Sequence, residues 1–299
     1  MGWRVVGIAN PARLSVKNSA LIVENDEGRA SIPIEDISAL VLETRQALIS
    51  SYLMAELGKS GVAVYFCDEK HLPCASLVPY CTHSRPLAAL KMQLETSVPF
   101  RKNCWRRVIE AKIANQARCL EILGYPDFRE LDALAAEVRS GDATNREAVA
   151  ARFYFRNILR SGKRGGEDAM NAALDYGYAI VRGVITRSIA EHGFIPFLGV
   201  HHCNELNPFN LADDFIEPFR PLVDLWVSQN VDDKTVFNLE IRKGLAALLV
   251  CLMVVDGERL TVIRAVETLV SSFVGACREK SPDRLKLPGL VPIVKHTEG

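Results

Sequence analysis

The stretch from Gly199 to Pro221, GVHHCNELNPFNLADDFIEPFRP, concentrates side chains able to do chemistry. It carries two adjacent histidines, His201 and His202, then a polar loop with Asn204, Asn207, Pro208 and Asn210. Three acids follow, Asp213, Asp214 and Glu217. Imidazole and carboxylate gathered by a short loop can hold a divalent cation, and without thiolate the set suits manganese, magnesium or zinc. Asp214 and Glu217 stand three apart and share a face if the segment is helical. Asp213 and Asp214 are consecutive and point different ways, so one of them is left to solvent or to structure. A plainer account competes. The acids can cap the helix that follows Asn210, because carboxylates near a helix N-terminus are favoured by its dipole. Pro218 is tolerated in a first turn. Either histidine can be hydrogen-bonded packing, and neighbours in a strand or turn point apart, so the pair offers one good ligand.

A second carboxylate worth weighing is Glu147, in Thr144-Asn-Arg-Glu147 at a helix start. The spacing is that of a capping box, in which Thr144 and Glu147 satisfy each other's backbone amides and do nothing else. The functional alternative is a helix that aims a carboxylate into a cleft. The same helix carries Arg152, Arg156 and Arg160, spaced four apart as a stripe, interleaved with Phe153, Tyr154 and Phe155. A basic stripe beside a metal site fits contact with a phosphate backbone, while such a run is also the ordinary make-up of a solvated helix face. Further basic groups lie at Arg101, Lys102, Arg106 and Arg107, and at Arg278, Lys280, Arg284 and Lys286. There is no phosphate-binding G-x-x-x-x-G-K-[ST] loop, no G-x-G-x-x-G and no G-x-S-x-G elbow, which withholds support from nucleotide-triphosphate, dinucleotide and serine-hydrolase chemistry.

The elements that must position these groups fall into two kinds. Up to about residue 85 short apolar runs dominate: Arg4 to Ala9, Leu21 to Val23, Ala30 to Ile34, Leu40 to Leu42 and Val62 to Cys67. Asn25-Asp-Glu-Gly28 marks a hairpin, and Ser50 to Leu57 is the one helix expected there. From Leu87 onward glycine and proline thin out and helical periodicity takes over. Helices are expected over Leu87–Ser97, Trp105–Leu123, Phe128–Arg139, Thr144–Leu159, Met170–His192, Val236–Leu249 and Leu260–Cys277, with a turn at Asp256-Gly257. The fold class is α+β: a small, mostly-β domain over residues 1–85 and a larger all-α domain over 86–299.

The 299 residues carry 36 basic and 36 acidic side chains, a net charge of zero, so any anionic partner must be met by local patches. The eight cysteines include no C-x-x-C pair. The N-terminus lacks the charged-then-apolar order of a signal peptide. The run from Gly244 to Val255 is too short to cross a bilayer. A cytoplasmic protein with reduced thiols is the simplest expectation.

Four runs taken in order carry a family resemblance: Asn145 to Phe155, Asn171 to Tyr178, Gly199 to His202, and Asp214-Phe-Ile-Glu-Pro-Phe-Arg-Pro-Leu-Val-Asp224. Together they resemble the CRISPR adaptation integrase, the CRISPR-associated endonuclease of spacer acquisition. Gly2-Trp-Arg4 and Phe66 to Pro73 look like its type II branch. The resemblance spans nearly the whole chain. It implies a β domain followed by a helical one, and a Mg2+ or Mn2+ site of Glu147, His202 and Glu217. His202 is chosen over His201 as the end of the Gly-x-x-His run, and Asp214 ranks below Glu217 as a second acid. Asn171 and Tyr176 would line the site if their helix packs as the family implies. The implied reaction is attack of a DNA 3′-hydroxyl on a phosphodiester of a repeat array, with Arg152, Arg156 and Arg160 positioning DNA. The implied partners are double-stranded DNA, a second copy of the chain, a small dimeric adaptation protein and, in the type II branch, the effector nuclease. Two other classes stay open: a scaffold that holds DNA ends without chemistry, and a metal-dependent hydrolase of a small phosphoester.

Overall fold

Short apolar runs broken by polar turns give strands, and in the computed structural model they fill the chain as far as Leu77. The structure describes residues 2–77, 85–158, 168–232 and 234–294. In chain order the first elements are β1 (Arg4–Ile8), β2 (Ala12–Lys17), β3 (Ala20–Asn25), β4 (Gly28–Pro33), β5 (Ile37–Leu42), β6 (Ala47–Ile49), α1 (Ser51–Lys59), β7 (Ala63–Cys67) and β8 (Pro73–Leu77). They form two four-stranded sheets, ordered β1-β5-β7-β8 and β4-β3-β2-β6. β1, β5 and β7 run parallel and β8 closes the edge antiparallel. Asn25 pairs with Gly28 across the expected hairpin turn. β2, β6 and β8 were not expected. β2 meets β3 through Asn18 and Ser19, both at positive φ, the backbone of a two-residue hairpin turn built here without glycine.

All six residues of β5, Ile-Ser-Ala-Leu-Val-Leu, are buried because both faces of the strand are covered. Leu40 and Leu42 pack with Leu14, Leu21, Leu53 and Leu57 between the sheets and α1. Ala39 and Val41 face the other way and join the helical core.

The helical region comprises α2 (Pro86–Leu94), α3 (Val98–Ile122), α4 (Phe128–Ala136), α5 (Arg146–Ile158), α6 (Ala169–Glu191), α7 (Asn210–Ile216), α8 (Arg220–Asn230), α9 (Leu239–Ala246) and α10 (Val262–Glu279). α3 starts seven residues before the expected Trp105. Ser97 Oγ accepts the Phe100 amide at 3.3 Å, and Pro99 sits in the first turn, where its missing N–H costs nothing. The Asp256-Gly257 turn is the tip of a hairpin, β9 (Leu252–Val255) with β10 (Glu258–Thr261), which the helical region carries in addition to its helices.

Sheet and helices are tied by specific contacts. Tyr65 on β7 donates its hydroxyl to the Ile180 carbonyl on α6 at 3.0 Å. The ring lies against Gly183, where a Cβ would come within 2.0 Å of it. Buried Glu43 accepts from Tyr176 Oη at 3.0 Å and pairs with Arg242 Nε at 3.0 Å. Tyr176 therefore sits at this junction. Asn171 is held at the start of α6, where Asp168 Oδ1 accepts its amide at 2.7 Å. Among the described residues no helix is long and apolar enough to cross a membrane.

Candidate active site

Helix α3 is the post against which the site is built. Trp105, Val108, Ile109, Lys112, Ile113, Asn115 and Gln116 form its buried face. Asn115 grips the carbonyls of Pro218 and Pro288 at 2.7 and 2.9 Å and accepts the Leu290 amide at 2.9 Å. That grip fixes the turn Glu217–Phe219, a single 3-10 turn between α7 and α8 forced by Pro218 and Pro221. Glu217 is thereby placed next to α3.

Glu147 reaches the same place from α5. The Thr144 capping box does not form. Asp142 caps the helix instead, accepting the Arg146 and Glu147 amides at 2.8 and 3.0 Å. Glu147 is spared capping duty and its carboxylate turns to Lys112, with Oε1 2.6 Å from Nζ. Lys112 Nζ also lies 2.5 Å from Glu217 Oε2. Arg220 Nε pairs with the other Glu217 oxygen at 2.9 Å. Burial alone would push the Glu217 carboxyl up, but Lys112 and Arg220 outweigh it and hold it down at about 2. For Lys112, burial disfavours the charge, and Glu217 with Glu147 more than restores it, so its pKa is raised. The structure thus brings Glu147 and Glu217 together around one ammonium.

The two histidines have different surroundings. His201 lies flat on the Trp105 indole, ring centroids 4.1 Å apart. His202 has its Nδ1 2.7 Å from Asp214 Oδ1. Asp214 is fully buried and also accepts the backbone amides of Val200, His201 and His202 at 2.6, 3.1 and 3.1 Å. It therefore organises the loop as an acceptor of four hydrogen bonds. Gly199 is required here, since a Cβ would stand 2.3 Å from the His202 carbonyl and 2.8 Å from Asp214. The hydrogen bond to Asp214 raises the His202 pKa against the opposing effect of burial, and the charges of Asp214 and Glu217 add to the rise. Asp213, its neighbour, takes the structural part: it accepts from Asn207 at 2.7 Å and faces Arg182 at 3.7 Å.

His201 and His202 line a groove of about 870 Å³ together with Arg101, Lys102, Phe197 and Leu206. On α5, Arg152 and Arg156 are exposed, and Arg156 lies over the Phe153 ring at 5.2 Å. Arg160 falls outside the described residues.

Among the described residues, no three His, Cys, Asp or Glu side chains stand together ready to hold a metal ion. Glu147 and Glu217 meet at the Lys112 ammonium, whereas His202 is paired with Asp214 and is not brought into one group with them. The donor set still suits a cation. Glu217 Oε2 is buried and, though 2.5 Å from Nζ, has no well-directed hydrogen bond. A spherical ion needs no such alignment, and two carboxylates with one imidazole match the preferences of Mg2+ and Mn2+. With Nδ1 taken by Asp214, His202 offers Nε2, and a carboxylate behind a ligand imidazole is the usual support of such a group.

Lys112 and Arg220 were not anticipated. The signal for Lys112 was present: it continues the apolar stripe Trp105, Val108, Ile109 at helical spacing, and a lysine on a buried face demands carboxylate partners.

The family described as CRISPR associated protein Cas1 matches residues 6–249. A CRISPR-associated endonuclease Cas1 of Neisseria meningitidis is 37% identical over 301 residues, covering 99% of this chain and 99% of that protein. Among solved structures, a casposase bound to integration product superposes with a TM-score of 0.76 at 18% identity, covering 94% of this chain and 92% of the other. A chain of a Cas6-RT-Cas1–Cas2 complex superposes at 0.71 and 17% identity, covering 95% of this chain and 36% of that longer one.

Proposed function

The chain belongs to the CRISPR-associated Cas1 family, and from that premise we propose that it is a divalent-metal-dependent DNA endonuclease and integrase. Its substrate is a short DNA whose 3′-hydroxyl is joined to a phosphodiester of a CRISPR repeat array. The relative from Neisseria is named an endonuclease, and the casposase is described on its integration product, which supports the reaction class. The observation that carries the proposal is the convergence of Glu147 and Glu217, from separate elements, on the buried Lys112 ammonium, with His202 near enough to feel the charge of Glu217.

Glu147, Glu217 and His202 Nε2 would hold Mg2+ or Mn2+. When bound, the ion supplies charge neutralisation at the phosphate and makes the attacking hydroxyl more acidic. Arg220, after Lys112, helps to keep Glu217 ionised. Asp214 holds the His202 ring and, by accepting from Nδ1–H, leaves the lone pair on Nε2. Arg152, Arg156 and Arg160, with Arg101 and Lys102 at the groove, would meet the DNA backbone and set its register without reading sequence. The chain acts in the cytoplasm as a homodimer with a small dimeric adaptation partner of the Cas2 kind. As a member of the type II branch it works with the effector nuclease.

A joining assay tests this. Purified protein is incubated with a labelled duplex, a repeat-bearing plasmid, Mn2+ or Mg2+ and the small partner. Wild type joins label to plasmid; Glu147→Ala and Glu217→Ala lose joining by on the order of 100-fold or more while shifting DNA on a gel as wild type does. Full joining by Glu147→Ala would leave the chain a scaffold that holds DNA ends.

A further inference from the structure

Lys112 stands at the centre of the candidate site and has no part in the chemistry proposed above. It projects from the buried face of α3, and its Nζ lies 2.6 Å from Glu147 and 2.5 Å from Glu217. Glu147 belongs to α5 and Glu217 to the turn before α8, so nothing local holds the two carboxylates near one point. Two carboxylates brought to one point repel each other, and Glu217, which is buried, is costly to keep charged without a counter-charge. A cation can supply that charge only when it is bound. The Lys112 ammonium, paired with both carboxylates, is placed to supply it.

We infer that Lys112 is a positioning residue, a resident counter-charge that keeps Glu147 and Glu217 converged without metal and that an incoming divalent cation must displace. The inference rests on the metal assignment proposed above. Three features of the chain favour displacement over permanent pairing. Lysine carries its charge on a long unbranched stem that can swing aside. Its pairing with Glu217 is close but poorly directed. Arg220, by contrast, holds the far oxygen of Glu217 and can stay there when Lys112 leaves. The arrangement has a double consequence. It organises the carboxylates in advance, and it sets the site's cation affinity by competition, because each ion that binds must replace an ion pair.

Thermal unfolding of wild type and Lys112→Met, each in EDTA and in Mn2+, tests this. Methionine keeps the length of the side chain and removes the charge. Wild type is expected to gain a modest Mn2+-induced rise in Tm. Lys112→Met is expected to melt lower in EDTA and to gain a larger rise, with Mn2+ bound at least tenfold tighter by titration calorimetry. Glu217→Gln should lose the rise, which ties it to this site. An equal rise in wild type and Lys112→Met, or an unchanged Tm in EDTA, overturns the role of Lys112 and leaves the metal assignment standing. No Mn2+ effect on either protein overturns both. Should Lys112→Met not fold, 15N-lysine NMR of wild type decides the matter. A protected ammonium signal in EDTA that vanishes on adding Mg2+ supports displacement, and one that persists beside bound Mg2+ contradicts it.

Discussion

Asp214 shows how one buried carboxylate can define a site without touching a substrate. It accepts three backbone amides and the His202 ring, so it fixes both the loop and the histidine that faces the groove. Replacing it with alanine leaves those donors unsatisfied and is expected to cost about 2–4 kcal/mol in urea unfolding. Asp214→Asn should retain part of that stability. It should also lower the His202 pKa toward 6.5 in chelator, as followed by NMR, because the hydrogen bond to Asp214 is the largest cause of the rise. The sign follows from linkage. A histidine whose folded pKa is raised adds stability that is fully present below its unfolded value and is lost as pH climbs through the folded one. The variant should lose that pH-dependent component, and an unchanged His202 titration would show that Asp214 does not hold the ring. The sequence placed these acids on one segment but could not divide the labour among them. Asp213 and Asp214 differ only in which way a helix turns them. Glu147 was legible as a carboxylate at a helix start, yet its release from capping depended on Asp142, which the Thr144 pattern obscured.

At the scale of elements, the helices were legible because their apolar faces repeat at helical spacing over many residues. The missed elements are short. β6 has three residues, too few for alternation to show, and β2 turns into β3 through Asn18-Ser19 without the usual glycine. The site's geometry depends on two helices whose partners are far off in the chain. α3 holds the Glu217 turn through Asn115, and α6 receives the β-sheet through Gly183. The second contact is testable. A methyl group at Gly183 would overlap the Tyr65 ring and break its bond to Ile180. Gly183→Ala is therefore expected to lower stability by about 2–4 kcal/mol, from overpacking and a lost buried hydrogen bond. Measured with Tyr65→Leu in a double-mutant cycle, the two losses should fall well short of additive; full additivity would show that the ring and the glycine do not share one contact.

Across the whole molecule, the order of β-rich and helical regions was visible in the change of periodicity, and the family in four spaced motifs. The convergence of residues 112, 147 and 217 was not, because it arises only when α3, α5 and the turn before α8 pack together. What these three residues bind therefore decides the chemistry of the site. Crystals soaked in MnCl2 and measured at the manganese edge test it most directly. The predicted result is one anomalous peak within bonding distance of the Glu147 and Glu217 carboxylates and His202 Nε2, with the Lys112 ammonium swung away. Lys112 still bridging the two glutamates in saturating Mn2+, with no peak between them, would contradict it.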